Sequence, residues 1–450
     1  MTAAAPRLGV PPGVRPVVAI PFALTFALGA IGITRQAWRD EHATWWASTI
    51  PFDDFLRLVS HVDIVLAPYY LLMRLWITVF GDSVIAMRVP SLLAMAVAAS
   101  LTAALGAKLF TPNIGLAAGC LLAVIPSVSR YAEEARPYAF ALCFAVASML
   151  ALVSRRWILL GLFVALTGLS HLIALLVLLA HLPLVSSWKR WFVAVGLGLV
   201  PLLPLAWLGS QQTGQVAWIS ASLKSFATLP QSLTRSAATA GILAALGLVA
   251  LVSVPWSRSL TALLVWAAGP PLVLFVFMHS LFYYRYLLFT LPAWALLAAS
   301  AVRLVPVPRQ RLAAAALCLA VLALGARDHI GLRKSPLPGD QDYAAAASFV
   351  HTHARSTDRI VFAGFPDQRE RFGFAYEWRR TPSPVTTCPV LETCAASRIW
   401  LVTTTPPASP ALPAAPASPA VPAPPAPAFT ASLTRPFSGL TITLLELASR

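Results

Sequence analysis

Long runs of apolar residues alternate with short polar connections along roughly the first three quarters of the chain. Runs of this length, with almost no charge inside them, predict helices that cross a membrane. The pattern contains eleven such segments, at 17–34, 90–107, 113–128, 138–153, 157–170, 172–187, 191–208, 239–254, 259–278, 287–302 and 312–326. It therefore predicts an all-α polytopic membrane protein with about eleven transmembrane helices.

One further apolar stretch, residues 64–80, decides the orientation of everything that follows it. We predict that it lies on the outer membrane surface as a juxtamembrane helix within a first outer loop, 35–89. The loops on the inner side then contain basic residues and none of the 17 acidic residues, as the positive-inside rule favours. The inner basic residues are Arg7, Arg15, Lys108, Arg155, Arg156, Lys189, Arg190, Arg258, Arg303, Arg309 and Arg311.

The pattern changes in the tail, residues 327–450, which this topology places outside. A helix-like segment, DQDYAAAASFVHTHA, precedes three strand-like segments, DRIVFAG, RIWLVTT and LTITLLEL. Prolines recur at every third position across most of 406–427, which is typical of a stiff spacer or a disordered insertion. We predict a transmembrane module, 1–326, and a small C-terminal extracytoplasmic α/β domain with a Pro/Ala-rich insert.

Composition supports this class of protein. Of the 450 residues, 58% are hydrophobic and 11% charged, against roughly 25% charged in soluble proteins. This excludes a soluble enzyme. The net charge of +16 does not indicate nucleic acid, because the basic residues lie in short loops and no nucleic-acid-binding motif is present. Cys388 and Cys394 lie in the tail, where an oxidising compartment predicts a structural disulfide.

Acidic residues are scarce, so their positions are informative. Asp40 and Glu41 follow the first predicted helix in the motif RDEHATWW, at the outer membrane interface. A carboxylate there could act as a general base where a lipid head group meets an aqueous acceptor. For Trp38, Trp45 and Trp46, an interfacial aromatic belt is favoured over stacking against a sugar ring, because belts are general to membrane proteins.

Two further outer loops carry interface-level charge. The loop SRYAEEARPYAF contains Arg130, Tyr131, Glu133, Glu134, Arg136 and Tyr138. The loop HSLFYYRYLLFTLPAW places Arg285 between tyrosines at the outer end of a span. Ion pairing within a helix or snorkelling would explain such residues, but guanidinium groups also suit a lipid phosphate. Charge in three outer loops together favours a functional site.

The ordered set of RDEHATWW, HVDIVLAPYYLLMRLW, FGDSVIAMRVPS, RYAEEARPYAF and YYRYLLFTLPAWALL resembles the GT-C membrane glycosyltransferases over residues 35–305. Within that class it is most similar to the dolichyl-phosphate-mannose mannosyltransferase-like group, which includes the aminoarabinose lipid A transferase, and to its actinobacterial mannosyltransferase-like branch. The resemblance implies inverting transfer of a sugar, mannose or arabinose, from a polyprenyl-phosphate donor. The acceptor would be an envelope glycan, lipid or secreted protein on the outer face of the plasma membrane.

The resemblance assigns the general base to Asp40, with Glu41 as support or acceptor contact. The candidates to stabilise the departing phosphate are Arg285, Arg136 and Arg130. Many relatives have His-Pro-Pro before two tyrosines, whereas this chain has His61-Val62-Asp63 and then Pro68-Tyr69-Tyr70, so that Asp63 would replace or extend the acidic site. The expected second acidic or substrate-contacting set is His61, Asp63, Tyr69, Tyr70, Glu133, Glu134 and Tyr138.

No metal-ligand spacing, Walker loop or dinucleotide fingerprint emerges, so no cofactor is predicted and a divalent cation is unsupported. Two alternatives stay open. A lipid-linked sugar transporter or flippase should carry ionisable residues in its spans, and no acidic residue lies in any predicted span. A catalytically silent scaffold that binds polyprenyl phosphate is compatible with the same motifs.

Overall fold

A computed structural model describes residues 15–337, 339–363, 369–379, 385–388, 391, 393–404 and 429–447. The chain divides into two compact units. The first comprises Met1–Thr34 and Ala47–Arg333, and the second joins Arg35–Trp46 to Lys334–Arg450. Nothing in the hydropathy pattern indicates that the segment with Asp40 and Glu41 groups with the tail. The predicted insert, 406–427, lies outside the described residues.

The α-helices run as follows along the chain up to Arg333. Their bounds are α1 Arg15–Ala30, α2 Arg39–Thr49, α3 Phe52–His61, α4 Ala67–Phe80, α5 Val84–Leu109, α6 Pro112–Ala123, α7 Pro126–Ala132, α8 Tyr138–Val153, α9 Trp157–Ser170, α10 Leu178–His181, α11 Trp188–Leu199, α12 Leu203–Ser210, α13 Leu223–Ala227, α14 Leu229–Thr234, α15 Ala237–Ser253, α16 Arg258–Phe277, α17 Leu291–Ser300, α18 Gln310–Leu324 and α19 Ala326–Gly331. The core of the first unit contains buried apolar side chains from α5, α6, α8, α16 and α17.

Each predicted span coincides with apolar helical structure. In the described part of the chain, five stretches are long and apolar enough to cross a membrane: Val84–Leu109, Trp188–Ser210, Arg258–Phe277, Tyr284–Leu304 and Val307–Leu324. The pair α6 and α7 adds a sixth if it counts as one span. The other predicted spans correspond to the shorter apolar helices Val17–Ala30, Tyr138–Val153, Trp157–Ser170, Leu172–Leu184 and Ala237–Ser253. The first unit is thus that of an all-α polytopic membrane protein.

The break between α6 and α7 has a local cause. The two helices are bent by 67° relative to each other, and Pro126 stands at the start of the second. Proline has no backbone N–H and disfavours helical backbone in the residue before it, so it ends one helix and begins the next. The bend brings the chain into the RYAEEARPY motif, whose residues 133–137 form a non-helical turn before α8.

The tail forms a mixed five-stranded sheet in its described part, flanked by helices α20, Tyr343–His353, and α21, Arg369–Trp378. Its strands are β1 Arg359–Ala363, β2 Thr386–Thr387, β3 Arg398–Thr404, β4 Phe429–Phe437 and β5 Leu440–Leu447. The strand order is β2-β1-β3-β5-β4, with β1 parallel to β2 and β3, and β5 antiparallel to both of its neighbours.

The tail has its own buried core, and the predicted helix and three predicted strands are confirmed as α20, β1, β3 and β5. Trp400 and Ile442 from the sheet pack with Val350 and Phe374 from the helices. Cys388 and Cys394 form the predicted disulfide, with their Cα atoms 5.6 Å apart.

Candidate functional site

The acidic pair occupies the first turn of α2 in the second unit. Negative side chains are stabilised there by the helix dipole, and Glu41 also accepts a hydrogen bond at Oε2 from the Trp38 backbone N–H at 3.3 Å. Glu41 is fully buried, whereas the side chain of Asp40 is 18% exposed and lies 4.0 Å from Arg39 Nε. Of the two carboxylates, Asp40 is the one that solvent reaches.

In the first unit, Asp63 and Arg136 meet through Tyr70. The Tyr70 hydroxyl donates to Asp63 Oδ2 at 3.1 Å, and Arg136 donates to the same hydroxyl. Burial, followed by the nearby Asp63 carboxylate, raises the pKa of Tyr70. The tyrosine therefore stays protonated and acts as a neutral bridge between the surface-helix motif and the RYAEEARPY motif.

A loop distant in sequence holds Asp63 in place. Asp63 has a left-handed backbone, with φ of 59°. Gln212 brackets it, because its Oε1 accepts from Ile64 N at 2.9 Å and its Nε2 donates to Val59 O at 3.0 Å. With the Gln215 amide oriented to satisfy both groups, its nitrogen donates to Asp63 Oδ1 at 2.5 Å and its oxygen accepts from Asp63 N at 2.9 Å. Sequence analysis did not identify either glutamine.

Arg285 lies in a cluster of aromatic rings. Its guanidinium donates to the Tyr283 hydroxyl, with Nη2 at 2.8 Å and Nε at 3.2 Å. Trp218 packs edge-on against Tyr283, with ring centroids 5.1 Å apart, and Arg235 lies 5.8 Å from the Tyr284 ring. The rings orient Arg285, and Arg235 adds a second positive charge nearby.

A continuous row of rings joins this cluster to the RYAEEARPY motif. Ring centroids are 5.6 Å apart between Tyr131 and Tyr138, 5.9 Å between Tyr138 and His171, and 4.9 Å between His171 and Tyr286. Tyr286 in turn lies 5.6 Å from Tyr283. The structure thus brings together two motifs that are about 150 residues apart in the sequence.

His171 links the two motifs; from the sequence, where its spacing to other histidines matches no metal-ligand pattern, a structural role or an acceptor contact is expected for it. It lies between α9 and the next apolar helix. Burial, and secondly the positive charge of Arg136, lower the pKa of His171 to about 4. The imidazole is therefore neutral at physiological pH and contributes a polar ring without charge.

The remaining charges of the RYAEEARPY motif form ion pairs. Arg130 Nη1 lies 3.0 Å from Glu134 Oε2, and both side chains are buried. Glu133 Oε1 lies 3.5 Å from Arg333 Nη2, which also donates to Leu28 O at 2.7 Å. A side chain at position 32 would overlap the Glu133 carboxylate, which would have to move to admit it.

Two members of the expected second acidic or substrate-contacting set make contacts of another kind. His61 is exposed, and its Nδ1 lies 2.8 Å from the Arg57 carbonyl oxygen in its own helix and 2.9 Å from Ser60 Oγ. Tyr69 is buried, and its ring packs 6.0 Å from Phe140. In the described residues, no group of three or more potential metal ligands comes together. The expectation of no cofactor stays a prediction.

The fold can be compared with solved structures. The crystal structure of ArnT from Cupriavidus metallidurans bound to undecaprenyl phosphate matches over 96% of this chain and 97% of that chain, with a TM-score of 0.59 and 12% identity. The apo state of the same protein gives a TM-score of 0.58 at the same identity and coverage. The chain has the GT-C fold.

The apo form of the Archaeoglobus fulgidus oligosaccharyltransferase is a second protein with this likeness. It matches over 82% of this chain and 60% of that chain, with a TM-score of 0.50 and 10% identity. No family model matches the sequence, and no curated protein is significantly similar to it. The GT-C fold implied by the five sequence motifs is therefore confirmed at the level of structure.

Proposed function

We propose that this protein is an inverting glycosyltransferase that moves a sugar, mannose or arabinose, from a polyprenyl-phosphate donor to an envelope glycan, lipid or secreted protein. The observation that carries the proposal is the match, over almost the full length of both chains, to ArnT bound to undecaprenyl phosphate. The reaction would take place on the outer face of the plasma membrane, where the positive-inside rule puts all acidic residues.

Asp40 is proposed as the general base. Its carboxylate takes the proton from the acceptor hydroxyl, whose oxygen then attacks the anomeric carbon. The bond between that carbon and the phosphate oxygen breaks, polyprenyl phosphate leaves with the electron pair, and the anomeric configuration inverts. The partial exposure of Asp40 supports this role, and the burial of Glu41 supports a structural role at the start of α2.

Negative charge on the departing phosphate requires cations that are already in place. Arg285, oriented by Tyr283, and Arg136, held by Tyr70, are the proposed phosphate ligands. Arg130 is the weaker of the three candidates, because its ion pair with buried Glu134 already offsets its charge. We propose that it supports the turn between α7 and α8.

Asp63 and Tyr70 are proposed as the second polar site, which contacts the acceptor or the sugar. Asp63 accepts hydrogen bonds from Tyr70 and Gln215, which fix the orientation of its carboxylate. Tyr138 belongs to the row of rings, where it can pack against a sugar face. Glu133 and Glu134 are proposed to act through their ion pairs.

The test uses detergent-purified protein with a panel of radiolabelled polyprenyl-phosphate sugars and membrane acceptors. We expect one donor to be consumed and the product to carry the inverted anomeric configuration. A flippase would consume no donor in detergent and, once reconstituted in sealed vesicles, would move the donor across the bilayer; a silent scaffold would bind the donor without consuming it. Either of these results contradicts the proposal.

A further inference from the structure

The tail is hydrogen-bonded to the chain just before the acidic pair. Gln36 Nε2 donates to Gln341 O at 2.7 Å, and Gln36 Oε1 accepts from Ala344 N at 3.0 Å. The Gln36 backbone N–H also donates to Ser335 Oγ at 3.0 Å. One glutamine four residues before Asp40 is thus hydrogen-bonded at three points to the first turn of α20 and the segment before it.

On the other side of Asp40, aromatic rings of α2 pack against aromatic rings of the tail. His42 is fully buried, with its ring centroid 5.2 Å from Tyr343 of α20 and 5.4 Å from Tyr376 of α21. Trp45 packs edge-on against Tyr376 at 5.2 Å. Tyr376 therefore contacts α2 at two positions, two and five residues beyond Asp40.

A stacked pair of aromatic rings adds a further contact between α2 and the tail. Trp46 stacks on Phe372 of α21, with centroids 4.2 Å apart and an interplanar angle of 11°. The Arg379 guanidinium lies 3.6 Å from the Tyr376 ring centroid and 5.1 Å from that of Trp45. Trp45 and Trp46, two of the three tryptophans for which sequence analysis weighed a belt and a sugar contact, therefore pack against the tail.

The helix that carries Asp40 depends on such contacts for its position. It has 11 residues, and isolated helices shorter than about 12–15 residues are marginal in water. Glu41, His42 and Thr44 of this helix are fully buried, and the His42 ring packs against two tail residues. The tail thus packs against the part of α2 that carries Asp40.

We infer that the tail is a positioning domain for the acidic pair, with Gln36, Tyr343 and Tyr376 as positioning residues for Asp40. The inference rests on the proposed function, since it assumes that Asp40 acts in the reaction. Reacting groups must be held in narrow geometry, and a displacement of about 1 Å can cost about 10²-fold in rate. Loss of the Tyr376 ring should therefore reduce turnover more than it reduces donor binding.

The test compares Tyr376→Ala and Tyr376→Phe with the control Phe349→Ala in the full-length protein. Phe349 packs in the tail core against Trp400 and Phe437, with ring centroids 6.1 and 5.7 Å away. We expect Tyr376→Ala to lower kcat about 10²-fold with donor KM within about threefold of wild type. Tyr376→Phe keeps the ring and should restore kcat. Phe349→Ala should lower the melting temperature of the tail while leaving kcat within about threefold of wild type.

Hydrogen exchange provides a readout that does not depend on activity. Backbone amides of residues 41–46 should exchange at least tenfold faster in Tyr376→Ala than in Phe349→Ala. If the two variants match in both kcat and exchange, the tail does not position α2 and the inference is wrong. If Asp40→Asn turns over at the wild-type rate while hydrogen exchange still rises in Tyr376→Ala, the proposed base is wrong. The claim that the tail holds α2 in position is then still supported.

Discussion

At the scale of single residues, Asp63 shows how distant partners hold a strained conformation. A left-handed backbone costs a non-glycine residue about 1–2 kcal/mol, although aspartate adopts it more readily than most. The Gln212 amide oxygen that accepts from Ile64 N comes from 148 residues further along the chain. Sequence analysis could select Asp63 because it departs from a family motif, but no local pattern could reveal its partners.

This arrangement makes Gln215 a testable residue. Gln215→Ala removes a hydrogen bond to a charged carboxylate, worth about 1.5–3 kcal/mol, so kcat/KM for sugar transfer should fall about tenfold or more. Initial rates with the consumed donor measure this. The control is Gln211→Ala in the same loop, where Gln211 is exposed and bonds to its neighbour Ser210. Equal rates for the two variants would show that sugar transfer does not depend on the hydrogen bonds between Gln215 and Asp63.

His171 gives the protein a pH-dependent stability of known sign. Its pKa is about 4 in the folded protein, where burial and Arg136 keep it neutral, against about 6.5 in an unfolded chain. Between these values only the unfolded chain binds the proton, so stability is full above pH 6.5 and falls as the pH drops toward 4. At pH 5 the loss from this group is about 2 kcal/mol.

Thermal unfolding in detergent at pH 7.5 and pH 5 tests this account. The wild type should melt at a lower temperature at pH 5. His171→Gln removes the titrating group and should reduce the difference between the two pH values. A His171→Gln protein that loses as much stability between pH 7.5 and 5 as the wild type would contradict the assignment.

At the scale of elements, hydropathy predicted the spans because long apolar runs leave few alternatives in a membrane. Strand β5 was predictable because buried and less buried positions alternate along it, and β1 and β3 because each is a short run rich in β-branched and aromatic residues. Strand β4 was missed, since it is exposed at nearly every position, contains Pro436 and directly follows the proline-rich insert. Its structure comes from pairing with β5, a tertiary contact.

The topology sets a minimum length for the insert. Strands β3 and β4 both run antiparallel to β5 and therefore parallel to each other, so the end of β3 at Thr404 and the start of β4 at Phe429 lie at opposite ends of the sheet. Seven residues of β3 span about 23 Å, and the two strand spacings add about 10 Å sideways. A direct connection of about 25 Å needs about eight extended residues.

We therefore predict that residues 406–427 can be shortened to about ten residues without loss of tail stability or activity. Replacement by two residues should release β4 from β5, because the chain would be too short to reach. Limited proteolysis with mass spectrometry distinguishes the variants. Survival of β4 with the two-residue connection would show that β4 does not pair with β5 at this edge of the sheet.

At the scale of the whole molecule, five short motifs were enough to indicate the GT-C fold, and the match to ArnT over 96% of the chain at 12% identity supports it. The site was only partly predictable. The motifs indicated Asp40, Asp63, Arg136 and Arg285 as candidates, since scarce charges in outer loops stand out in an apolar sequence. The grouping of Arg35–Trp46 with the tail rests on contacts between residues about 300 positions apart, which periodicity does not encode.

The central claim is that a carboxylate at the start of α2 is the general base in sugar transfer, and one comparison tests it most directly. Transfer from the consumed donor is measured for wild type, Asp40→Asn and the control Asp54→Asn, an exposed carboxylate paired with Arg57 in the first loop. We predict that Asp40→Asn stays folded and loses about 10²–10⁴-fold in kcat, while Asp54→Asn keeps the wild-type rate. Wild-type turnover by folded Asp40→Asn would contradict the account.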